Sequence, residues 1–243
     1  METPNEPEHR PLVCRINLPD AKLPRTPHTK TEMRKAANTA RVSRIAREFK
    51  KGFEFISDYP KSVTIYGSAR FKENNPHYKH ARELGSRLAQ LGYAVATGGG
   101  PGIMEAGNRG AMEAGGVSLG LNIRLPREQV INPYVTKHEE FYYFFSRKTA
   151  LSFAAETYIY YPGGFGTLDE FFEIVTLVQT KKIPRVPIVL VGVDFWTPLR
   201  TFMMEHIYLR HRAIDKVDLD LFTITDDIDK ILEIVQCAPE RDE

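Results

Sequence analysis

Residues 62–102 read SVTIYGSARFKENNPHYKHARELGSRLAQLGYAVATGGGPG, and this stretch decides the fold class. Ser62–Tyr66 is a short run rich in β-branched residues, Pro76–Leu91 has a helical pattern, and Tyr93–Thr97 is a second strand-like run. Strands that alternate with helices of this length lie parallel in one sheet, with the helices packed on its faces. Glycines follow both strands: Gly67 and Ser68 after the first, then Gly98, Gly99, Gly100 and Gly102 after the second.

The alternation runs on through the chain. It predicts helices over Gly102–Ala114, Ser146–Glu156, Leu168–Thr180, Trp196–Leu209 and Asp226–Val235. Strands are predicted over Val117–Asn122, Glu140–Phe144, Tyr158–Tyr161, Pro187–Val191 and Phe222–Ile224. The expected fold is α/β: a Rossmann-like, doubly wound parallel sheet with helices on both faces, over residues 59–243. Val42, Ile45, Phe49, Phe53 and Ile56 fall three or four apart and predict an N-terminal amphipathic helix over 31–58. Packing on the body and contact with a second subunit both fit that face. Residues 1–30 hold six prolines and many charges, which predicts a flexible leader.

Composition bounds the function. Apolar residues make up 42% and charged residues 26% of the 243, as in ordinary soluble proteins. The apolar stretch 186–196 is broken by Pro187 and Asp194 and falls short of the roughly 18 residues a membrane span needs. No basic start and apolar run mark a signal peptide, and Cys14 and Cys237 read as free thiols, so a cytoplasmic location is expected. Residues 1–51 carry 12 Lys and Arg against 6 Asp and Glu, and the remainder carries 21 against 25. A solvated basic tail is favoured over a nucleic-acid surface, because no aromatic-interleaved basic face accompanies it.

In open parallel sheets ligands bind beyond the carboxyl ends of the strands, and here a third glycine cluster, Gly163, Gly164 and Gly166, follows the strand ending at Tyr161. Glycine lets backbone amides approach a phosphate, and the helix behind turns its positive end toward the anion. Ile103 breaks the G-x-G-x-x-G frame after Gly98, and no G-x-x-x-x-G-K-[ST] occurs. Dinucleotides and P-loop triphosphates are thereby disfavoured and a smaller nucleotide is left. Thr167 and Glu170 have capping-box spacing, and a glutamate in the first helical turn is expected to be ionised at neutral pH. Arg147 and Lys148 stand at a predicted helix start, where cations are mildly unfavourable unless an anion is near; a plain solvent-facing role is as well supported. The run Phe141-Tyr142-Tyr143-Phe144-Phe145 could stack on a base, although packing of a buried strand is favoured.

Pro162 through Glu170, with Arg147-Lys148 upstream and Gly98-Gly99-Gly100-Pro101-Gly102-Ile103-Met104-Glu105 before them, resembles the Lonely-guy (LOG) family and its Pro-Gly-Gly-x-Gly-Thr-x-x-Glu motif. The resemblance covers roughly residues 60 to 210. Glu105 stands where many shorter members have glycine, and the extension before Pro60 looks like the longer bacterial-type members. Many relatives bear the label lysine decarboxylase, which the motif does not support. The resemblance implies a phosphoribohydrolase that cleaves the N-glycosidic bond of AMP or a cytokinin (N6-substituted) AMP, giving free base and ribose 5-phosphate. Arg147 and Glu170 become the catalytic pair. Gly163, Gly164, Gly166 and Thr167 become the phosphate cradle, and Gly67, Ser68, Gly99, Gly100, Lys148 and Phe165 join them as substrate-binding residues.

No cofactor and no metal is expected. His77 and His80 sit at helical spacing without a recognised acidic partner and read as surface residues, while Ser68 and Ser146 lack a paired His/Asp signature. The expected partners are a nucleoside monophosphate and further copies of the chain in a homo-oligomer, with no membrane. The rival from another class is a non-catalytic nucleotide-binding or sensor protein on the same fold, which could dispense with the Arg147/Glu170 pair.

Overall fold

The computed structural model describes residues 31–124 and 131–239, so the proline-rich leader with Cys14 lies outside the described residues. Helix α1 (Thr31–Ser57) is followed by β1 (Ser62–Tyr66), α2 (Pro76–Gln90), β2 (Ala94–Thr97), α3 (Ile103–Glu113) and β3 (Ser118–Ile123). Next come β4 (Lys137–Phe141), α4 (Phe144–Ser152), β5 (Thr157–Tyr160), α5 (Phe165–Gln179), β6 (Ile188–Leu190), α6 (Val193–Phe202), β7 (Thr223–Ile224) and α7 (Ile228–Gln236). The chain divides between Arg41 and Val42 into two units; the first is described only as the start of α1, and the second holds the whole sheet.

All seven strands are parallel, in the order β4-β3-β2-β1-β5-β6-β7. This is the expected Rossmann-like, doubly wound sheet. The order reverses at β1, which pairs with β2 on one side and β5 on the other. Side chains of a strand alternate between faces, so the sheet supplies two cores. Ile159 and Tyr161 join Val63, Ile65 and Val95 under α2, α3 and α7. Tyr158 and Tyr160 join Leu121 and Phe141 under α4, α5 and α6, where the lone tryptophan, Trp196, is fully buried.

Helices α4 and α5 start two and three residues before their expected Ser146 and Leu168, α4 ends at Ser152 rather than Glu156, and two further elements differ more. The edge strand β4 covers Lys137–Phe141 rather than Glu140–Phe144, and only Phe141 of the aromatic run is buried. Tyr142, Phe144 and Phe145 are 47–59% exposed and lead into α4, so the favoured buried-strand role fails for them. A strand at the sheet's end has one neighbour, and its charged pattern (Lys137, His138, Glu139, Glu140) suits that position better than five aromatics would. The helix expected over Trp196–Leu209 starts earlier, at Val193, and after Phe202 continues as a π-helical segment, Met203–Arg210.

Helices α2 and α3 approach closely because glycines remove the side chains between them. A Cβ at Gly110 would run into the carbonyl oxygen of Arg82, and one at Gly85 into that of Gly107. Alanine normally improves a helix interior, by about 1 kcal/mol over glycine. Here the overlap with backbone cannot be relieved by a rotamer change, so Gly110→Ala is expected to destabilise the fold by about 3 kcal/mol. Urea denaturation reads this directly; equal or greater stability in the variant would contradict the close packing.

Candidate active site

The carboxyl ends of β1, β2 and β5 meet where the strand order reverses, and backbone hydrogen bonds join the loops that follow them. The Ser68 amide donates to the Pro162 carbonyl at 3.0 Å, and the Ile103 amide donates to the Ser68 carbonyl at 3.0 Å. Between the loops lies a cleft of about 770 Å³. Its walls include Gly67, Ser68, Gly163, Gly164, Phe165, Gly166, Thr167, Arg147 and Glu170, all singled out in the sequence. Tyr66, Arg70, Phe71, Gly98, Met104, Phe144 and Phe195 line it as well.

Arg147 projects from α4 and Glu170 from α5, and the Arg147 Nη2 donates to Glu170 Oε1 at 2.9 Å. Both side chains are largely buried, at 13% and 14% exposure. Beneath them the rings of Tyr66 and Tyr160 stack, 4.8 Å apart and nearly parallel, and the Tyr160 hydroxyl donates to the Glu170 carbonyl at 3.2 Å. Burial holds both phenols well above their ordinary range, so they are neutral. The Nε of Arg147 is buried and has no hydrogen-bond partner among the described residues.

The capping box suggested by Thr167 and Glu170 does not form. The cap of α5 is Gly164, no side chain among the described residues caps it, and Thr167 is already inside the helix. Gly163 is tied to that geometry, since a Cβ there would collide with Thr167 Oγ1. Glu170 consequently lies in the second turn, where the dipole is weak. Burial pushes its carboxyl up to about 7, against the opposing pull of Arg147 and Lys148, in place of the fully ionised group expected from sequence.

Three expected site residues lie elsewhere. Lys148 is absent from the cleft wall and pairs with Asp169 at 2.7 Å and Glu173 at 3.3 Å, which supplies the anions its helix-start position called for. Gly99 and Gly100 are buried and absent from the cleft wall; the Gly99 carbonyl accepts from the Asn132 amide and the Gly100 carbonyl from the Asn132 side chain. Gly98 takes their place: a Cβ there would lie 2.9 Å from both an Arg147 Nη atom and the Met104 sulfur. Arg70, an exposed cation two residues past Ser68, was legible as a charge following a glycine loop but carried no motif. The histidines are not simple surface residues; His80 bridges the Tyr161 hydroxyl at 2.7 Å and the Asp226 carbonyl at 2.9 Å, and His77 stacks on Phe71.

Fold and cleft define a Rossmann-like α/β protein with a buried arginine–glutamate pair at its switch point. A family model described as "possible lysine decarboxylase" matches residues 104–235, over half of the chain. The chain belongs to that family, the LOG family. It is 30% identical over 148 residues to the rice (Oryza sativa) cytokinin riboside 5′-monophosphate phosphoribohydrolase LOG, covering 59% of this chain and 60% of the rice protein. The bacterial enzyme of that name from Rhodococcoides fascians is 24% identical over 162 residues, 64% of this chain and 77% of its own. The chain thus spans about 60% of the length of the rice relative. Among solved structures, TM1055 superposes with a TM-score of 0.56 at 26% identity, over 72% of this chain and 98% of its own. The molybdenum cofactor carrier protein of Chlamydomonas reinhardtii has the same fold, with a TM-score of 0.54 at 23% identity, over 72% of this chain and 94% of its own.

A carboxyl raised from 4.5 to about 7 favours the protonated form in the folded state, so ionising it weakens the fold as pH rises through that interval. Glu170→Gln lacks this ionisation. Its stability relative to the parent should therefore improve by up to about 3 kcal/mol between pH 4 and pH 8, since each tenfold change in proton affinity is worth roughly 1.4 kcal/mol. Urea unfolding of both proteins at the two pH values measures it; a constant difference would mean that Glu170 titrates normally.

Proposed function

We propose that this chain hydrolyses the N-glycosidic bond of a purine nucleoside 5′-monophosphate, AMP or an N6-substituted AMP, to free base and ribose 5-phosphate. The observation that carries this reading is the buried Arg147–Glu170 pair, 2.9 Å apart in a cleft bounded by glycine loops. Membership of the LOG family, and the names of its phosphoribohydrolase relatives, support the same reaction.

The cleavage leaves positive charge on the ribose ring while water attacks its anomeric carbon. Glu170, with a pKa near 7, can take a proton from that water at neutral pH, and its ionised form stabilises the charged sugar. Arg147 holds the carboxylate in place through its Nη2 hydrogen bond. The start of α5, capped by Gly164 with no side-chain oxygen among the described residues, leaves amides for the phosphate, and Arg70 adds a cation on the cleft wall. Phosphate binding far from the reacting bond fixes the sugar in place, so a nucleoside without it should react poorly.

Chromatography of the products after incubation with AMP and with a prenylated AMP tests the reaction. Free base is expected from the parent, and its rate should fall by about a thousandfold in Glu170→Gln, as when a general base is removed. Nucleotide bound but never cleaved by the parent would instead support a binding or sensor protein. Arg70→Ala is expected to raise KM for the monophosphate by about tenfold, the scale of one charged hydrogen bond, with little change for the nucleoside. Equal effects on both substrates would remove Arg70 from the phosphate site.

A further inference from the structure

Glu48 belongs to α1, well before the segment matched by the family model, and only 8% of it is exposed. Its two carboxylate oxygens accept backbone amides: that of Tyr142 on Oε1 at 3.0 Å and that of Tyr143 on Oε2 at 3.2 Å. Tyr143 is the cap residue of α4, and no side chain among the described residues caps that helix in the usual way. In a capping box the amide of the cap residue is taken by a glutamate three positions on. The residue at that place in α4 is Ser146, whose Oγ has no partner among the described residues. Glu48 therefore fills from another helix a role that α4 cannot fill itself.

The link to the cleft is short. The Arg147 amide donates to the Tyr143 carbonyl at 3.2 Å, closing the first turn of α4, so Glu48 grips the same residue by its N–H that holds Arg147 by its C=O. Helix α1 is seated closely enough to make that grip stiff. A Cβ at Gly52 would lie 3.0 Å from the Ala150 Cβ and 3.1 Å from the Phe141 ring. Phe53 meets Phe153 edge-on at 5.7 Å beyond the far end of α4, and Phe49 meets Phe145 at 6.4 Å near its start.

We propose that Glu48 is a positioning residue for Arg147: it orders the start of α4 through the Tyr142 and Tyr143 amides and so holds the guanidinium on Glu170. The inference rests on the phosphoribohydrolase reading of the cleft. It makes α1 a working part of the site, although none of its described residues lines the cleft.

The test compares Glu48→Gln and Glu48→Ala with the parent in the full-length chain. Glu54→Ala serves as control, since it removes an exposed partner of Lys50 on the same helix. Base release from AMP gives kcat and KM, and amide hydrogen exchange reports on residues 142–152. A small misplacement of a catalytic group costs up to about a hundredfold, so kcat should fall about tenfold in Glu48→Gln and up to about a hundredfold in Glu48→Ala. KM should stay within about threefold, because the phosphate cradle lies on other elements. Exchange should quicken in α4 and stay slow in α2 and α3, with Glu54→Ala like the parent. An unchanged kcat in both variants overturns the proposal, as does a fall in kcat accompanied by lost protection in α2 and α3. If the parent itself releases no base, the phosphoribohydrolase reading fails first. Exchange then still decides whether Glu48 orders α4, and unaltered exchange in residues 142–152 overturns that too.

Discussion

A carboxylate withdrawn from water beside a single guanidinium is the constraint on which this site turns. Arg147 and Glu170 come from helices on the same face of the sheet, and each is nearly enclosed. Burying a charged pair costs several kcal/mol per ion before their attraction is counted, so such a pair adds little to stability by itself. The surrounding structure holds it nonetheless: stacked tyrosines fill the floor, Gly98 leaves room for the guanidinium, and Lys148 locks α4 to α5 through Asp169 and Glu173. The result is an acid whose proton comes and goes near neutrality.

The topology explains why the pair faces a cleft rather than a closed core. At β1 the strand order reverses, so the loops after β2 and β5 leave in opposite directions and a gap opens between them. The glycine loops line it because backbone must come close there, from Ser68 to Pro162 and from Ser68 to Ile103. Much of this framework precedes the segment matched by the family model, which begins only at Met104. β1, α2, β2, Arg70 and Glu48 belong to that first part, and the site cannot be assembled without β1 and β2.

The alternating pattern from Ser62 to Val235 made the parallel sheet legible, because strand and helix periods are local properties of sequence. Pro162–Glu170 likewise pointed to the cleft, because a second glycine loop at a nearby strand end outweighs the plain tight-turn role that a single such loop would have. What sequence could not give was environment. Spacing alone suggested a capping box for Thr167 and Glu170, but three-dimensional burial gave Glu170 to Arg147 and raised its pKa. Of the glycines after β2 the sequence singled out Gly99 and Gly100 and passed over Gly98, yet Asn132 takes the carbonyls of those two and Gly98 is the one on the cleft wall. The five aromatics at 141–145 read as a buried strand, yet they span a strand end, a turn and a helix start. Glu48 had no signal at all, because its partners are backbone amides 94 and 95 residues away.

Everything proposed for the cleft depends on Glu170 titrating near neutrality and on its ionisation governing base release. The most direct measurement sets the pH–rate profile of base release from AMP beside a carbon-13 carboxyl titration of Glu170, assigned with Glu170→Gln. The expected result is a kcat/KM that rises with pH to a plateau, with both curves sharing a midpoint at about 7. A carboxyl that titrates near 4.5, with a rate that stays flat from pH 6 to pH 8, would contradict it.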